Sequence, residues 1–206
     1  MTAFAYYGIV LLTTEVLATE GTCSSGFRNS DSSKRYSDEC YVTCQSLSTA
    51  DYVSLSLTSA SELLSVVVTF LVIDWIGRKR TFAIAAFSYC VAMLLLNLCV
   101  HRLGATVVLF FARASVASAV QTVYVYAPEV YPTTVRAVGL GACSSFARLG
   151  AVLTPLIAQV LTKSSLSAAS CLYAIAGLLN CALGLSLPLE TRGRPIVDAV
   201  RPQNAL

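Results

Sequence analysis

Four ionisable side chains, Glu15, Glu62, Arg113 and Arg148, lie within stretches that are otherwise almost wholly apolar. A charge at the centre of a bilayer costs about 2.5–3.5 kcal/mol on insertion scales, so it is kept facing a bundle interior or a wet cavity. Their neighbours at helical spacing are polar or small. Thr58, Ser65 and Thr69 share a face with Glu62, and Ala117, Gln121 and Tyr124 share one with Arg113. Gly141, Ser145, Val152 and Pro155 align with Arg148, and the proline marks a candidate kink. Three such stripes predict a hydrated groove that holds a solute by charge and hydrogen bonds. Burial disfavours a charged carboxylate, so Glu62 or Glu15 is the candidate carrier of a coupling proton. The competing reading pairs Glu62 with Arg148 and Glu15 with Arg113 as ion pairs that staple helices together. Covalent chemistry has no counterpart in the sequence: there is no GxSxG, Walker loop or HExxH motif. The chain therefore reads as a non-enzyme with no cofactor and no metal.

These residues must be positioned by helices that cross a membrane. Six apolar stretches cover residues 4–18, 52–73, 81–100, 106–126, 137–161 and 168–187. A hydrocarbon core of roughly 30 Å needs about 20 such residues, and all but the first reach that length. Glu62 is the eleventh of 22 residues in its stretch and Arg148 the twelfth of 25, both near the expected midplane. Hydrophobic residues make up 56% of the 206 and charged residues 12%, with a mean hydropathy of +0.70. Water-facing domains carry about a quarter charged residues. The net charge of +3 is too small for a nucleic-acid binder. The first stretch has no basic residue before it and no cleavage site after it, so it reads as a span and not a leader. The fold class expected is an all-α membrane protein of six transmembrane helices.

An even number of spans puts both termini on one side. Arg78, Lys79, Arg80 and Arg136 fall in short loops on that side, and Arg192, Arg194 and Arg201 in its tail at 188–206. Opposite short loops hold only Arg102 and Lys163, so the basic bias predicts cytoplasmic ends. The long outer or lumenal loop, 19–51, carries Cys23, Cys40 and Cys44. Thiols there are expected to oxidise, and Cys23 could pair with Cys40 or Cys44, leaving one over. Asn97 and Asn180 read as hydrogen-bonding partners between helices. The small residues of 139–145 favour close helix approach.

Three motifs fall at the basic end: Asp74-Trp75-Ile76-Gly77-Arg78-Lys79-Arg80, Pro128-Glu129-Val130-Tyr131-Pro132-Thr133-Thr134-Val135-Arg136, and Pro188-Leu189-Glu190-Thr191-Arg192-Gly193. Together they resemble the carboxyl-terminal half of a major facilitator superfamily transporter. The nearer likeness is to synaptic vesicle-related (SVOP-type) transporters, then to organic cation and anion transporters. It rests on Phe4 to Glu15, Tyr124 to Thr133, Ala147 to Ala151 and Thr154 to Val160, and the three-cysteine loop fits that group. The tail departs by an inserted Leu189 and by Arg192 in place of Lys. The resemblance implies a six-helix half of a twelve-helix fold and a conformational latch of Asp74, Gly77, Arg78, Lys79, Glu129 and Arg136. It further implies a secondary active transporter for a small organic solute, coupled to a proton or another ion. Glu62, Arg148, Arg113, Gln121, Tyr124 and Glu15 are the expected solute pathway. Such transporters bind solute between two halves, so this chain, with Met1 directly against a span, is expected to need an amino-terminal half and to transport nothing alone. Synaptic or other cytoplasmic vesicles, or the plasma membrane, are the implied locations. The alternative is a vesicle membrane protein that binds partners without transporting.

Overall fold

A computed structural model describes residues 1–18, 49–98, 102–164 and 166–193. The expected disulfide residues Cys23, Cys40 and Cys44, and Arg194 and Arg201 of the tail, lie outside the described residues. Among the described residues six helices follow one another: α1 Thr2–Ala18, α2 Thr49–Ile76, α3 Arg78–Leu95, α4 Arg102–Val130, α5 Arg136–Ser164 and α6 Leu166–Leu185. No strand occurs among the described residues.

Among the described residues, four helices hold a segment long and apolar enough to cross a membrane: Tyr52–Ile76, Leu103–Val130, Arg136–Ala158 and Ser167–Leu185. The apolar part of α1 is shorter, and α3 opens on Arg78-Lys79-Arg80. At 28 residues, α2 is about 42 Å long, well beyond a roughly 30 Å hydrocarbon core. Its last turn therefore carries Asp74 out of the apolar stretch while still helical. Glu129 likewise sits in the last turn of α4, which runs through Pro128, and not in a loop. Pro128 has no N–H to donate to the Tyr124 carbonyl one turn back, and the helix ends two residues later. The proline of α5, Pro155, also leaves the helix continuous.

The apolar core is built by α1, α3, α4 and α6, through Ile9, Leu12, Tyr89, Met93, Leu109 and Tyr173. Gly8 makes the closest approach: any Cβ there would collide with the Tyr173 ring, so the ring from α6 packs directly on the α1 backbone. Helix α2 packs on α4, and α5 lies against α1 and α6. The outer faces invert the soluble pattern. Helix α2 exposes Leu63, Leu64, Phe70 and Leu71 while burying Thr58, Ser61, Ser65 and Thr69. Apolar faces outward and polar faces inward suit lipid as solvent. The buried hydroxyls of Thr58 and Ser61 donate to Leu55 O and Thr58 O, one turn back, so their burial leaves nothing unsatisfied.

Candidate functional site

The polar stripe of α2 meets the stripe of α4. Arg113 donates from Nη2 and Nε to Glu62 Oε1, at 2.7 and 3.1 Å, and the Tyr6 hydroxyl of α1 donates to Glu62 Oε2 at 3.0 Å. The Arg113 side chain is 11% exposed and that of Glu62 28%, so the pair is largely withdrawn from its surroundings. Thr69 donates to Ser118 at 2.7 Å, and Gln121 to Ser65 at 3.4 Å. The sequence-based pairings Glu62–Arg148 and Glu15–Arg113 are replaced by Glu62–Arg113. The reason is the packing order: α2 lies on α4, whereas α5, which carries Arg148, lies on α1 and α6. Glu15 is exposed near the far end of α1. Two of the three expected stripes thus close on each other as a polar seam between helices.

The third stripe borders open space. A cleft of about 470 Å³ lies between α1, α4 and α5, and Tyr6, Tyr7, Tyr124, Cys143, Ser144 and Arg148 contribute its polar and aromatic lining. Arg148 is exposed there and has no ion pair or hydrogen bond among the described residues. Tyr124, expected beside Arg113, instead stands in this cleft, 65% exposed. Tyr6 joins the two regions, since it lines the cleft and its hydroxyl holds Glu62. Sequence reasoning missed Tyr6 and Tyr7 because the first stretch shows no polar periodicity.

At the basic end, three chain segments converge on Arg78. Its Nη1 lies 3.0 Å from Asp74 Oδ1, while Nε and Nη2 donate to the Glu129 carboxylate at 3.0–3.2 Å. Partial burial works against the Arg78 charge, but hydrogen bonding and attraction to Glu129, then Asp74, outweigh it and hold its pKa above the ordinary value. The Thr191 hydroxyl donates to Glu129 Oε2 at 2.6 Å, and the Arg78 backbone N–H to Glu190 Oε1 at 2.8 Å. Glu190 therefore sits at the N-terminus of α3, where the helix dipole favours a carboxylate. Gly77 precedes it with φ 99°, and a Cβ there would come within 2.9 Å of Glu190. Lys79 donates to Leu187 O at 2.8 Å and Tyr126 to Leu189 O at 3.0 Å, fastening the tail.

Of the residues the resemblance assigns to a latch, Asp74, Gly77, Arg78, Lys79 and Glu129 come together. Arg136 stands apart: its Nε donates to Tyr131 O at 3.4 Å, and its Nη2 is buried with no partner among the described residues. Glu190 and Thr191 belong to the cluster but were not expected in it. Their signal was available in the tail motif, which carries a carboxylate and a hydroxyl side by side. Asn97 accepts from Ser167 and Ser170, and Asn180 from Thr2, so both asparagines link helices.

Comparison with known proteins agrees with this architecture. Residues 40–204 match the Major Facilitator Superfamily. The Synaptic vesicle 2-related protein of Rattus norvegicus is 43% identical over 197 residues, covering 96% of this chain and 35% of its own length. That of Bos taurus is 44% identical over 199 residues, with 96% and 35% covered. The svop-1 protein of Caenorhabditis elegans is 42% identical over 199 residues, with 97% and 37% covered. The chain thus spans little more than a third of the relatives it matches. Six helices among the described residues, four of them apolar enough to cross a membrane, a clustered basic end and this match together make the chain a multi-pass membrane protein that belongs to the Major Facilitator Superfamily.

Proposed function

We propose that the chain forms one six-helix half of a secondary active transporter, non-enzymatic, moving a small organic solute by alternating access. The observation that carries this reading is the cleft of Arg148, Tyr6 and Tyr124, which opens on one face of the bundle directly beside the Glu62–Arg113 pair. Membrane-interior charge is functional by default, and facilitator transporters bind solute between two halves. Arg148, Tyr124 and Tyr6 contact the solute in this reading. Glu62, Arg113 and Gln121 form the seam behind them, and Glu62 or Glu15 carries a coupling proton or ion. The cluster of Asp74, Gly77, Arg78, Lys79 and Glu129 faces the cytoplasm and biases the inward- and outward-open states, with Arg136 directed at the amino-terminal half. The name of the Synaptic vesicle 2-related relatives supports a vesicle membrane as the location.

The test is reconstitution. Liposomes holding this chain together with a complementary six-helix amino-terminal half are expected to take up solute, and those with the chain alone are not. In the paired system Arg148→Gln and Glu62→Gln lose uptake while inserting into the liposomes at the wild-type level. Uptake by the chain alone, or wild-type kinetics in both variants, would refute the reading.

A further inference from the structure

We propose that the groove between α2, α3 and α4 seats one acyl chain of an anionic phospholipid, whose phosphate is held by Arg80. This groove, about 340 Å³, shares only α4 with the cleft and draws nothing from α1 or α5. Val68, Val72, Ile84, Phe110 and Phe111 give it an apolar wall, and of these Val68, Ile84 and Phe111 are exposed. The hydroxyls along it donate within the protein: Ser65 to Glu62 O, Thr69 to Ser118, Thr81 to Gly77 O, Ser88 to Ala85 O and Ser115 to Phe111 O. They therefore require no polar occupant.

Depth and charge select the lipid. Leu64 and Ile76, at the two ends of the groove, lie about 18 Å apart along α2. One leaflet fills half of a roughly 30 Å hydrocarbon core, so the groove runs from the basic-end surface to about the bilayer midplane. Arg80 stands at its mouth, one residue before Thr81 and one turn before Ile84, both of which line the groove. Helical side chains lean toward the N-terminus, which for α3 is the basic end. The guanidinium is exposed and has no ion pair or hydrogen bond among the described residues. Nearby carboxylates are engaged elsewhere: Asp74 and Glu129 by the Arg78 side chain, Glu190 by the Arg78 backbone N–H. Trp75, 83% exposed beside Ile76, is of a type that settles at headgroup level. A zwitterionic lipid brings its own cation to its phosphate, so Arg80 favours an anionic one. On the reading above this leaflet is the cytoplasmic one, where anionic lipid is concentrated.

Trp75 is the only tryptophan of the chain, so its fluorescence reports lipid contact at the mouth of the groove. The full chain is placed in phosphatidylcholine bilayers, and lipids brominated near the carboxyl end of their chains are titrated in as contact quenchers. Brominated phosphatidylglycerol should compete about fivefold better than brominated phosphatidylcholine, the effect of one basic group near an anionic headgroup. Arg80→Gln should bring that ratio to about one. Arg192→Gln, which removes an exposed charge at the same end, should leave it unchanged. Ser88→Phe, which obstructs the groove about 12 Å below Arg80, should about halve the ratio with wild-type circular dichroism. Equal quenching by the two lipids overturns the proposal. An equal loss in Arg192→Gln and Arg80→Gln reduces the effect to surface potential and overturns the site. A ratio undiminished in Ser88→Phe overturns the groove as the seat of the acyl chain. The readout is lipid contact alone, so none of these outcomes bears on solute transport.

Discussion

Neutralising either member of the Glu62–Arg113 pair should destabilise the bundle by a few kcal/mol. Arg113 directs two hydrogen bonds at one carboxylate oxygen while Tyr6 holds the other. Removing one partner of a fully buried pair costs about 3–5 kcal/mol, because the remaining charge is left uncompensated. With 28% of the Glu62 side chain exposed, part of that charge can be resolvated, which reduces the expectation to about 2–3 kcal/mol. Glu62→Gln, Arg113→Gln and the double variant form a cycle in which the double variant should recover about 1–3 kcal/mol of coupling. Mixed-micelle unfolding with sodium dodecyl sulfate, followed by far-ultraviolet circular dichroism, gives each free energy. Thr69→Val, which removes the neutral Thr69–Ser118 bond between the same helices, supplies the scale. Neutral hydrogen bonds between membrane helices average about 0.6 kcal/mol, because the unfolded helices find other partners. Single-variant effects no larger than that of Thr69→Val, and additive in the double, would refute a coupled pair and place both groups in water.

The basic-end cluster yields two further expectations. Glu129→Gln weakens the double contact with Arg78 and should cost about 1–2 kcal/mol, since the amide still accepts one bond and Asp74 remains. The accompanying sign is faster tryptic cleavage after Arg192, because Thr191 also rests on Glu129. Gly77→Ala adds a side chain at φ 99° and pushes on Glu190, so a loss of about 1–3 kcal/mol and the same early cleavage are expected. Unfolding free energy and digestion rate check both, and an unaltered tail in Gly77→Ala would mean that Glu190 does not depend on that approach.

Helix positions were legible because they depend on local composition. Each apolar stretch marks the position of a helix, yet not where it ends: α2 runs from Thr49 to Ile76, beyond the apolar residues 52–73 on both sides. Backbone hydrogen bonds continue into polar sequence until Gly77 turns the chain, so Asp74 is helical although hydropathy placed it in a loop. The cluster around Arg78 was legible in Asp74 and Glu129 through motif spacing. Glu190 was signalled by its tail motif, but its partner was not, being the backbone N–H of Arg78, more than a hundred residues earlier. Charge partners were the hardest to read. Glu62, Arg113 and Arg148 each announce themselves by their cost in lipid, but which two meet depends on which helices are neighbours. Equal numbers of acids and bases allowed either pairing, and only the packing of α2 on α4 decides it.

The same packing divides the bundle mechanically. Helices α2 and α4 are tied at two levels, by Glu62–Arg113 in the interior and by Asp74–Arg78–Glu129 at the basic end. Those levels lie about 24 Å apart along α4. Sliding one helix past the other would break charged contacts at both. Helix α5 has no such tie through Arg136 or Arg148, neither of which makes an ion pair among the described residues. Its approach to α1 is by van der Waals contact at Gly150, where a Cβ would lie 3.7 Å from the Phe4 backbone, and Phe146, Leu149 and Val152 are exposed. Dispersion contacts are individually weak and tolerate small shifts that charged hydrogen bonds do not. The cleft opens along this looser edge, with Arg148 on α5 and Tyr124 on α4. A ligand touching both would add the charged link that α5 lacks, and so bias its position relative to the tied pair only to the extent that it binds one arrangement more tightly.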